Sequence, residues 1–239
     1  PRVTPLVDGD RVYTFGGEGN LVCRAIKDGE EKWSHDFGKL FGVTTQTWGF
    51  AASPLVHGDL LICLGSGDGS TAVAFNKLTG KEVWRSVSAK QPGYCPPRIV
   101  KHAGRDLLII WHPEAANALE KKKGSESGRA PWKIRAGLTI PTPLMVDEDH
   151  LFFTNFYNGS MLLKLKKDES TPDIVYRTER ASERKTTHLH GIMNTPVLRD
   201  GHLFAACSYG RFRCMEALTG KRVWESLDPI AIEEPVRWG

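Results

Sequence analysis

The stretch that decides the fold reads AFNKLTGKEVW at positions 74–84. An apolar run leads into the pair Thr79-Gly80, and a short second run ends at Trp84. A Thr-Gly pair favours a tight turn, because glycine accepts backbone angles that other residues avoid. The same arrangement returns as EALTGKRVW at 216–224 and in part as DGEEKW at 28–33. The stretch therefore predicts a β-hairpin that the chain repeats.

Self-similarity extends along the whole chain with a period of about 48 residues, which is typical of four-stranded propeller blades. Each repeat opens at a proline, and these prolines stand 49, 43, 46 and 53 residues apart. Each repeat closes at an aromatic residue, and these stand 51, 48, 44 and 48 residues apart. The prolines are Pro5, Pro54, Pro97, Pro143 and Pro196, and the aromatics are Trp33, Trp84, Trp132, Tyr176 and Trp224. The predicted repeats are 4–36, 53–88, 96–136, 142–179 and 195–227.

Within each repeat, short apolar segments alternate with turn residues, as in antiparallel strands. Asn158-Gly159 is the strongest hairpin signal, because both residues of such a turn accept left-handed angles. Only Glu114–Lys123 has the composition of a helix. We therefore predict one all-β domain over 1–239, a β-propeller of four-stranded blades. We expect about five consecutive blades from a ring of six to eight, because residues 235–239 resemble residues 46–49, the lead-in to the second repeat.

The closing aromatics have a structural role in this prediction. A large ring on the outermost strand can fill the wedge between adjacent blades, and a Thr-Gly turn lets the chain bend beside it. We therefore predict blade docking for these residues and not an aromatic ligand cage. The docking set is Trp33, Trp84, Trp132, Tyr176, Trp224, Gly80 and Gly220.

Composition excludes several classes of protein. An apolar fraction of 40% with 25% charged residues supports a packed core and not intrinsic disorder. No apolar run approaches the roughly 20 residues of a membrane span. The net charge is +4, and the basic residues in 121–123 and 177–185 lack the interleaved aromatics of nucleic-acid-binding surfaces. We predict solvated loops there and no nucleic-acid partner.

Residues 74–84 and 216–224 resemble the repeat of pyrroloquinoline-quinone (PQQ)-type β-propellers, with Asn76 at the position where the family usually has Asp. The segment 190–214 is similar to PQQ-like repeat proteins of planctomycete-type bacteria. The same superfamily includes quinoprotein alcohol dehydrogenases and a propeller lipoprotein of the outer-membrane protein assembly machinery. The resemblance implies an exported protein of the periplasm or cell envelope.

Three functions stay open, because a fold does not decide a function. They are a non-catalytic binding or scaffold propeller, a PQQ-dependent dehydrogenase and an outer-membrane assembly component. The dehydrogenases of this family hold Ca²⁺ through Glu, Asn and Asp and place a ring of two adjacent cysteines over the quinone. The cysteines here are Cys23, Cys63, Cys95, Cys207 and Cys214, with no adjacent pair. We favour the binding protein and expect no catalytic residue and no metal site; PQQ with Ca²⁺ remains the alternative cofactor.

The candidate ligand site consists of residues that precede the opening prolines. The first strand of each propeller blade lines the central channel, so these lead-in segments would ring one mouth of it. A mixed aromatic and polar mouth is typical of sites for small ligands or peptides. The predicted residues are Trp48, Tyr94, Arg98, His188, His190 and Asn194. Packing between blades is the other interpretation of this set.

Two finer points concern the last repeat. On an extended segment, His188 and His190 would face one side and suit a metal if a third ligand converged. We favour two partly exposed loop histidines instead. Cys207 and Cys214 flank a predicted hairpin turn, where a disulfide is open but not favoured because the register places them diagonally.

Overall fold

A computed structural model describes residues 3–167, 169–178 and 186–228. Within these ranges the strands form five four-stranded antiparallel sheets, each with its strands in sequence order. The sheets lie inside the five predicted repeats, and the all-β prediction is confirmed. Three short helical segments interrupt the sheets, α1 (Phe37–Phe41) and the 3-10 turns Arg135–Gly137 and Ser208–Gly210.

The strand bounds follow the chain from sheet to sheet. The first sheet holds β1 (Leu6–Asp8), β2 (Arg11–Phe15), β3 (Asn20–Ala25) and β4 (Glu31–Asp36). The second holds β5 (Leu55–His57), β6 (Leu60–Leu64), β7 (Ala72–Asn76) and β8 (Glu82–Ser86). The third holds β9 (Arg98–His102), β10 (Arg105–His112), β11 (Ala115–Glu120) and β12 (Glu126–Pro131). The fourth holds β13 (Leu144–Met145), β14 (His150–Asn155), β15 (Gly159–Lys164) and β16 (Asp173–Arg177). The fifth holds β17 (Val197–Arg199), β18 (His202–Ala206), β19 (Phe212–Glu216) and β20 (Arg222–Ser226).

The prediction that Glu114–Lys123 could form a helix is wrong. Residues Ala115–Glu120 form β11, which pairs with β10 on one side and β12 on the other. Both faces of this central strand are covered, so its alanines show no polar alternation along the sequence. Burial within the sheet outweighs the helix propensity of alanine, which is a weak preference.

Apolar clusters between successive sheets make up the core. Tyr13 packs with Phe75 between the first and second sheets, and Trp84 with Leu108 between the second and third. Two further clusters lie between the third and fourth sheets and between the fourth and fifth. Each inner sheet is therefore buried on both faces, which is the blade arrangement of a propeller.

Aromatic docking is clearest where the first sheet meets the second. The Trp33 indole N–H donates to the Lys77 carbonyl at 3.1 Å, and the ring lies against Gly80. Gly80 has a φ of +72°, and a Cβ there would stand 2.7 Å from the Trp33 ring. Gly29 takes the same turn position in the first sheet with nothing near its Cβ. Glycine at 80 is therefore required both by the turn and by the docked ring.

The same contact recurs at two further junctions. The Trp84 N–H donates to the Lys121 carbonyl at 3.1 Å, and its ring covers Gly124. The Tyr176 hydroxyl donates to the Ala217 carbonyl at 2.9 Å, and its ring lies beside Gly220. Each of these aromatic residues sits opposite the strand residue that precedes a β-bulge. Trp224 has the same register in the fifth sheet and is 42% exposed.

The third sheet differs from this pattern. Gly128, opposite Ala118 and next to the bulge, occupies the docking register. Trp132, predicted as the docking aromatic, lies beyond β12 and stacks on Trp111 with ring centroids 5.8 Å apart. The prediction matched Pro131-Trp132 to the closing motif of the other repeats, but the register of β12 places that motif four residues too late.

The five cysteines are buried and free. No bridge joins Cys207 to Cys214, in line with the diagonal register. The Cys207 sulfur accepts the His190 backbone N–H at 3.3 Å, and burial raises the pKa of its thiol to about 11. These thiols therefore act as small core residues.

Candidate functional site

The lead-in segments of the second to fifth sheets meet in one pocket, which we call the mouth pocket. Its volume is about 600 Å³, within the range of small-ligand sites. The lining residues are Trp48, Ala51, Tyr94, Leu138, Ile140, Ile192 and Met193. None of these side chains carries a charge.

Hydrogen bonds tie neighbouring lead-ins to one another. The Gln46 side-chain Nε2 donates to the carbonyls of Gly49 at 3.1 Å and Gly93 at 2.8 Å, and the Tyr94 backbone N–H donates to the Thr139 carbonyl at 3.0 Å. Gly93 has a φ of +76°, and a Cβ there would overlap the Thr139 hydroxyl. These hydrogen bonds thus join the lead-ins of three successive sheets around the pocket.

The pocket is apolar and partly open. The rings of Trp48 and Tyr94 meet edge to face with centroids 5.8 Å apart. Tyr94 and Leu138 are buried, whereas Trp48 is 41% exposed and Met193 is 73% exposed. An open surface of this composition gains free energy by covering apolar groups, because their area is removed from water.

The structure brings together only two of the six residues predicted for the mouth. Trp48 and Tyr94 line the pocket, whereas Arg98 begins β9 opposite Ile109 and Asn194 lies half-buried outside the lining. The His188 ring stacks on Tyr176 with centroids 5.7 Å apart.

His190 lies in the core. Its Nδ1 donates to the Phe156 carbonyl at 2.8 Å, and its Nε2 is buried with no hydrogen-bond partner in the described part of the chain. The expectation of partial exposure is confirmed for His188 and wrong for His190. The His188 carbonyl accepts from Arg213 of β19, and Leu189 packs in the cluster between the fourth and fifth sheets, so this segment lies against the fifth sheet. Its polar sequence did not indicate this. Across residues 3–167, 169–178 and 186–228, no three His, Cys, Asp or Glu side chains converge as metal ligands.

Burial of His190 makes the stability of the protein depend on pH. Desolvation lowers the pKa of His190 from 6.5 to about 4, although the bond to Phe156 opposes this shift. Below pH 6.5 the His190 imidazole of the unfolded chain is therefore protonated, whereas in the folded protein it stays neutral down to about pH 4. The contribution of neutral His190 to the free energy of unfolding is fully present above pH 6.5. It falls as the pH drops, by about 2 kcal/mol between pH 7 and pH 5.

Urea unfolding at several pH values measures this effect. His190→Asn keeps a donor for the Phe156 carbonyl and should remove about 2 kcal/mol of the pH dependence. His202→Gln, which changes a half-buried histidine of β18, is the matched control and should keep the wild-type slope. An unchanged slope in His190→Asn would rule out this assignment.

Sequence reasoning missed the aliphatic part of the mouth. Leu138 directly follows Gly137 in the lead-in to the fourth repeat, and Ile192 directly follows Gly191 in the lead-in to the fifth, as Tyr94 follows Gly93 in the lead-in to the third. The signal that could have found them is this repeated position next to a glycine. Because polar residue types are preferred in ligand sites, the prediction selected the histidines instead of these aliphatic residues.

The mouth pocket does not fit a calcium–quinone site of the kind that the resemblance implies. The mouth pocket offers no carboxylate or side-chain amide oxygen as a ligand for Ca²⁺. The cysteines are buried in separate strands and loops, so none forms an adjacent-cysteine ring.

Five four-stranded sheets in the described residues, with outer-strand aromatics docked at three of their junctions, define the chain as a β-propeller with PQQ-type repeats. A family model described as outer membrane protein assembly factor BamB matches residues 1–226. The chain therefore belongs to this family of PQQ-like propellers. No curated protein matches the chain.

Solved structures confirm the propeller fold. BamB from Moraxella catarrhalis is similar with a TM-score of 0.66 and 16% identity, over 95% of this chain and 62% of that one. Quinohemoprotein alcohol dehydrogenase ADHIIG from Pseudomonas putida HK5 is similar with a TM-score of 0.57 and 16% identity, over 94% of this chain and 41% of that one. The quinohemoprotein alcohol dehydrogenase from Comamonas testosteroni is similar with a TM-score of 0.59 and 14% identity, over 94% of this chain and 42% of that one. The chain thus spans less than two thirds of each. No helix within the described ranges is long and apolar enough to cross a membrane.

Proposed function

We propose that the chain is part of a non-catalytic, exported propeller that binds an apolar segment of a protein partner at the mouth pocket. The observation that carries the proposal is an uncharged pocket whose rim exposes Trp48 and Met193. Tryptophan is enriched among residues that dominate binding energy, and methionine adapts its shape to different apolar partners. Charged ligands would lose hydration there without meeting an opposite charge.

The hydrogen bonds between neighbouring lead-ins support the same function. Because the Gln46 and Tyr94 contacts hold the pocket in shape, little conformational entropy is lost when a ligand enters. A preformed apolar pocket on a rigid scaffold favours a binding function over a catalytic one. Export to the periplasm or cell envelope is part of the proposal and rests on the family resemblance.

Peptide titration calorimetry on the full-length protein tests the proposal. A peptide in which Leu and Phe alternate with Ser and Lys should bind, and the peptide with Ala in place of Leu and Phe should not. Met193→Lys should weaken binding about tenfold, because the ligand would bury a charge against apolar groups. Leu218→Lys is the matched control, since Leu218 is 49% exposed in the turn between β19 and β20. Equal affinities of the two variants would refute a role of the mouth pocket.

Outer-membrane protein assembly is the second candidate function, and the family match over residues 1–226 favours it. In that role the partner at the mouth pocket is a component of the assembly machinery. Affinity purification from envelope extract should then recover an assembly component with the wild type and with Leu218→Lys, but not with Met193→Lys. Recovery of no assembly component by the wild-type protein counts against this role.

A PQQ-dependent dehydrogenase is the enzymatic alternative, because two of the similar structures are quinohemoprotein alcohol dehydrogenases. We expect no reduction of a redox dye when PQQ, Ca²⁺ and an alcohol are added to the full-length protein. Dye reduction proportional to protein concentration would overturn the non-catalytic proposal.

A further inference from the structure

The sulfur-bearing side chains of this chain, five cysteines and four methionines, differ sharply in exposure. All of them lie in the part of the chain that the structure describes. The five cysteines are buried, as are Met161 and Met215, and Met145 is partly buried against the cluster between the third and fourth sheets. Met193 is 73% exposed. A reagent in solution that reacts with sulfur therefore meets the Met193 thioether first.

The buried thiols do not compete with Met193 for such a reagent. Burial raises the pKa of the thiol in each of Cys23, Cys63, Cys95, Cys207 and Cys214. Oxidants attack the thiolate and not the thiol, so these groups are protected by protonation as well as by burial. A thioether has no proton to lose, and access of the oxidant decides its reaction.

The surroundings of Met193 give its oxidation a consequence. Met193 lies in the lining of the mouth pocket, where no side chain is charged. Among the lining side chains only Trp48 and Tyr94 carry a hydrogen-bond donor. The exposed thioether is therefore part of the apolar surface that a ligand of this pocket covers.

Oxidation turns this apolar group into a polar one. A peroxide transfers one oxygen atom to the Met193 sulfur, so that its O–O bond breaks and an S–O bond forms. Sulfur gives up two electrons and the peroxide takes them, and hydrogen peroxide leaves as water. The product is a sulfoxide, whose oxygen accepts hydrogen bonds from water. An apolar ligand must remove that water, and the mouth pocket offers few donors in its place.

We propose that Met193 is a site of reversible oxidation that controls the mouth pocket. A peroxide lowers the affinity of the pocket for an apolar protein segment, and reduction of the sulfoxide restores it. This inference rests on the proposed function, because it concerns the affinity of the same pocket. The hydrogen bonds from Gln46 to Gly93 and from Tyr94 to Thr139 involve no atom of Met193, so the pocket keeps its shape when the sulfur is oxidised.

Mass spectrometry and titration calorimetry on the same sample of the full-length protein test this inference. After mild treatment with hydrogen peroxide, which catalase then removes, Met193 should gain one oxygen before Met145, Met161 and Met215 do. The peptide in which Leu and Phe alternate with Ser and Lys should then bind about tenfold more weakly than before treatment. Methionine sulfoxide reductases for both sulfoxide epimers should restore the affinity.

Two variants assign the response to one sulfur atom. Met193→Leu has no thioether at the rim, so its affinity for the peptide, whatever its starting value, should be the same before and after peroxide. Met145→Leu is the matched control, because Met145 lies outside the mouth pocket, and it should respond to peroxide as the wild type does.

Three results overturn this inference alone. They are earlier oxidation of Met145, Met161 or Met215, an unchanged affinity once Met193 is oxidised, and a response to peroxide that persists in Met193→Leu. A peptide that fails to bind the untreated protein overturns the proposed function and this inference together, so the two failures are distinguishable.

Discussion

Replacing Arg213 by alanine is expected to lower the free energy of unfolding by about 4 kcal/mol. The Arg213 side chain is 1% exposed and donates to Glu225 at 3.0 Å, to the His188 carbonyl at 2.6 Å and to the Thr186 hydroxyl. Burial alone would raise the pKa of Glu225, but Arg213 with Arg222 and Arg211 holds it below its ordinary value. Without Arg213 these acceptors lose their donor inside the protein, which costs far more than an exposed contact.

Arg211→Ala is the matched control for this effect. Arg211 pairs with the same carboxylate, at 2.5 Å from Glu225, but its side chain is 31% exposed. An ion pair of this kind contributes about 0.5 kcal/mol, because water screens it. Urea unfolding of both variants measures the difference. Similar losses for Arg211→Ala and Arg213→Ala would show that burial of the guanidinium is not what stabilises the fifth sheet.

Trp84→Ala is expected to destabilise the protein by about 4 kcal/mol, because it empties the wedge between the second and third sheets. The Trp84 side chain is 7% exposed and packs in the cluster that contains Leu108 and Leu119. Its N–H also satisfies the Lys121 carbonyl, which would lose that donor. The midpoint of urea unfolding reports the change.

Val83→Ala is the control on the same strand. Val83 precedes Trp84 in β8 and is 50% exposed, so its truncation should cost less than about 0.5 kcal/mol. If Trp84→Ala were as mild as Val83→Ala, the docking aromatics would not hold neighbouring blades together.

The sequence was sufficient to predict the propeller because its signals are local and repeated. Thr79-Gly80 and Trp84 predict a turn and a docking ring on their own, and the structure places them in those positions. Trp132 shows the limit of this approach. Its place depends on the register of β12, in which Gly128 and not Trp132 pairs at the docking position, and this register leaves no motif in the sequence.

The candidate site was harder to predict than the fold. Lead-in position correctly indicated that Trp48 and Tyr94 lie together, because blade geometry repeats with the sequence. Residue chemistry gave the wrong prediction for His190. Histidine is typical of ligand sites, yet His190 packs in the core, where its Nδ1 donates to the Phe156 carbonyl. Burial of a polar residue is decided by contacts between distant segments, which a single sequence does not reveal.

Site-specific photo-crosslinking in the native cells tests whether the mouth pocket binds a protein partner. A benzoylphenylalanine is placed at position 193 or at position 218 of the full-length protein, two exposed apolar sites of which only the first lines the mouth pocket. A binding function of the mouth pocket predicts a discrete crosslinked partner from position 193 and none from position 218. No adduct at 193, or the same adducts at both positions, would contradict a binding function of the mouth pocket.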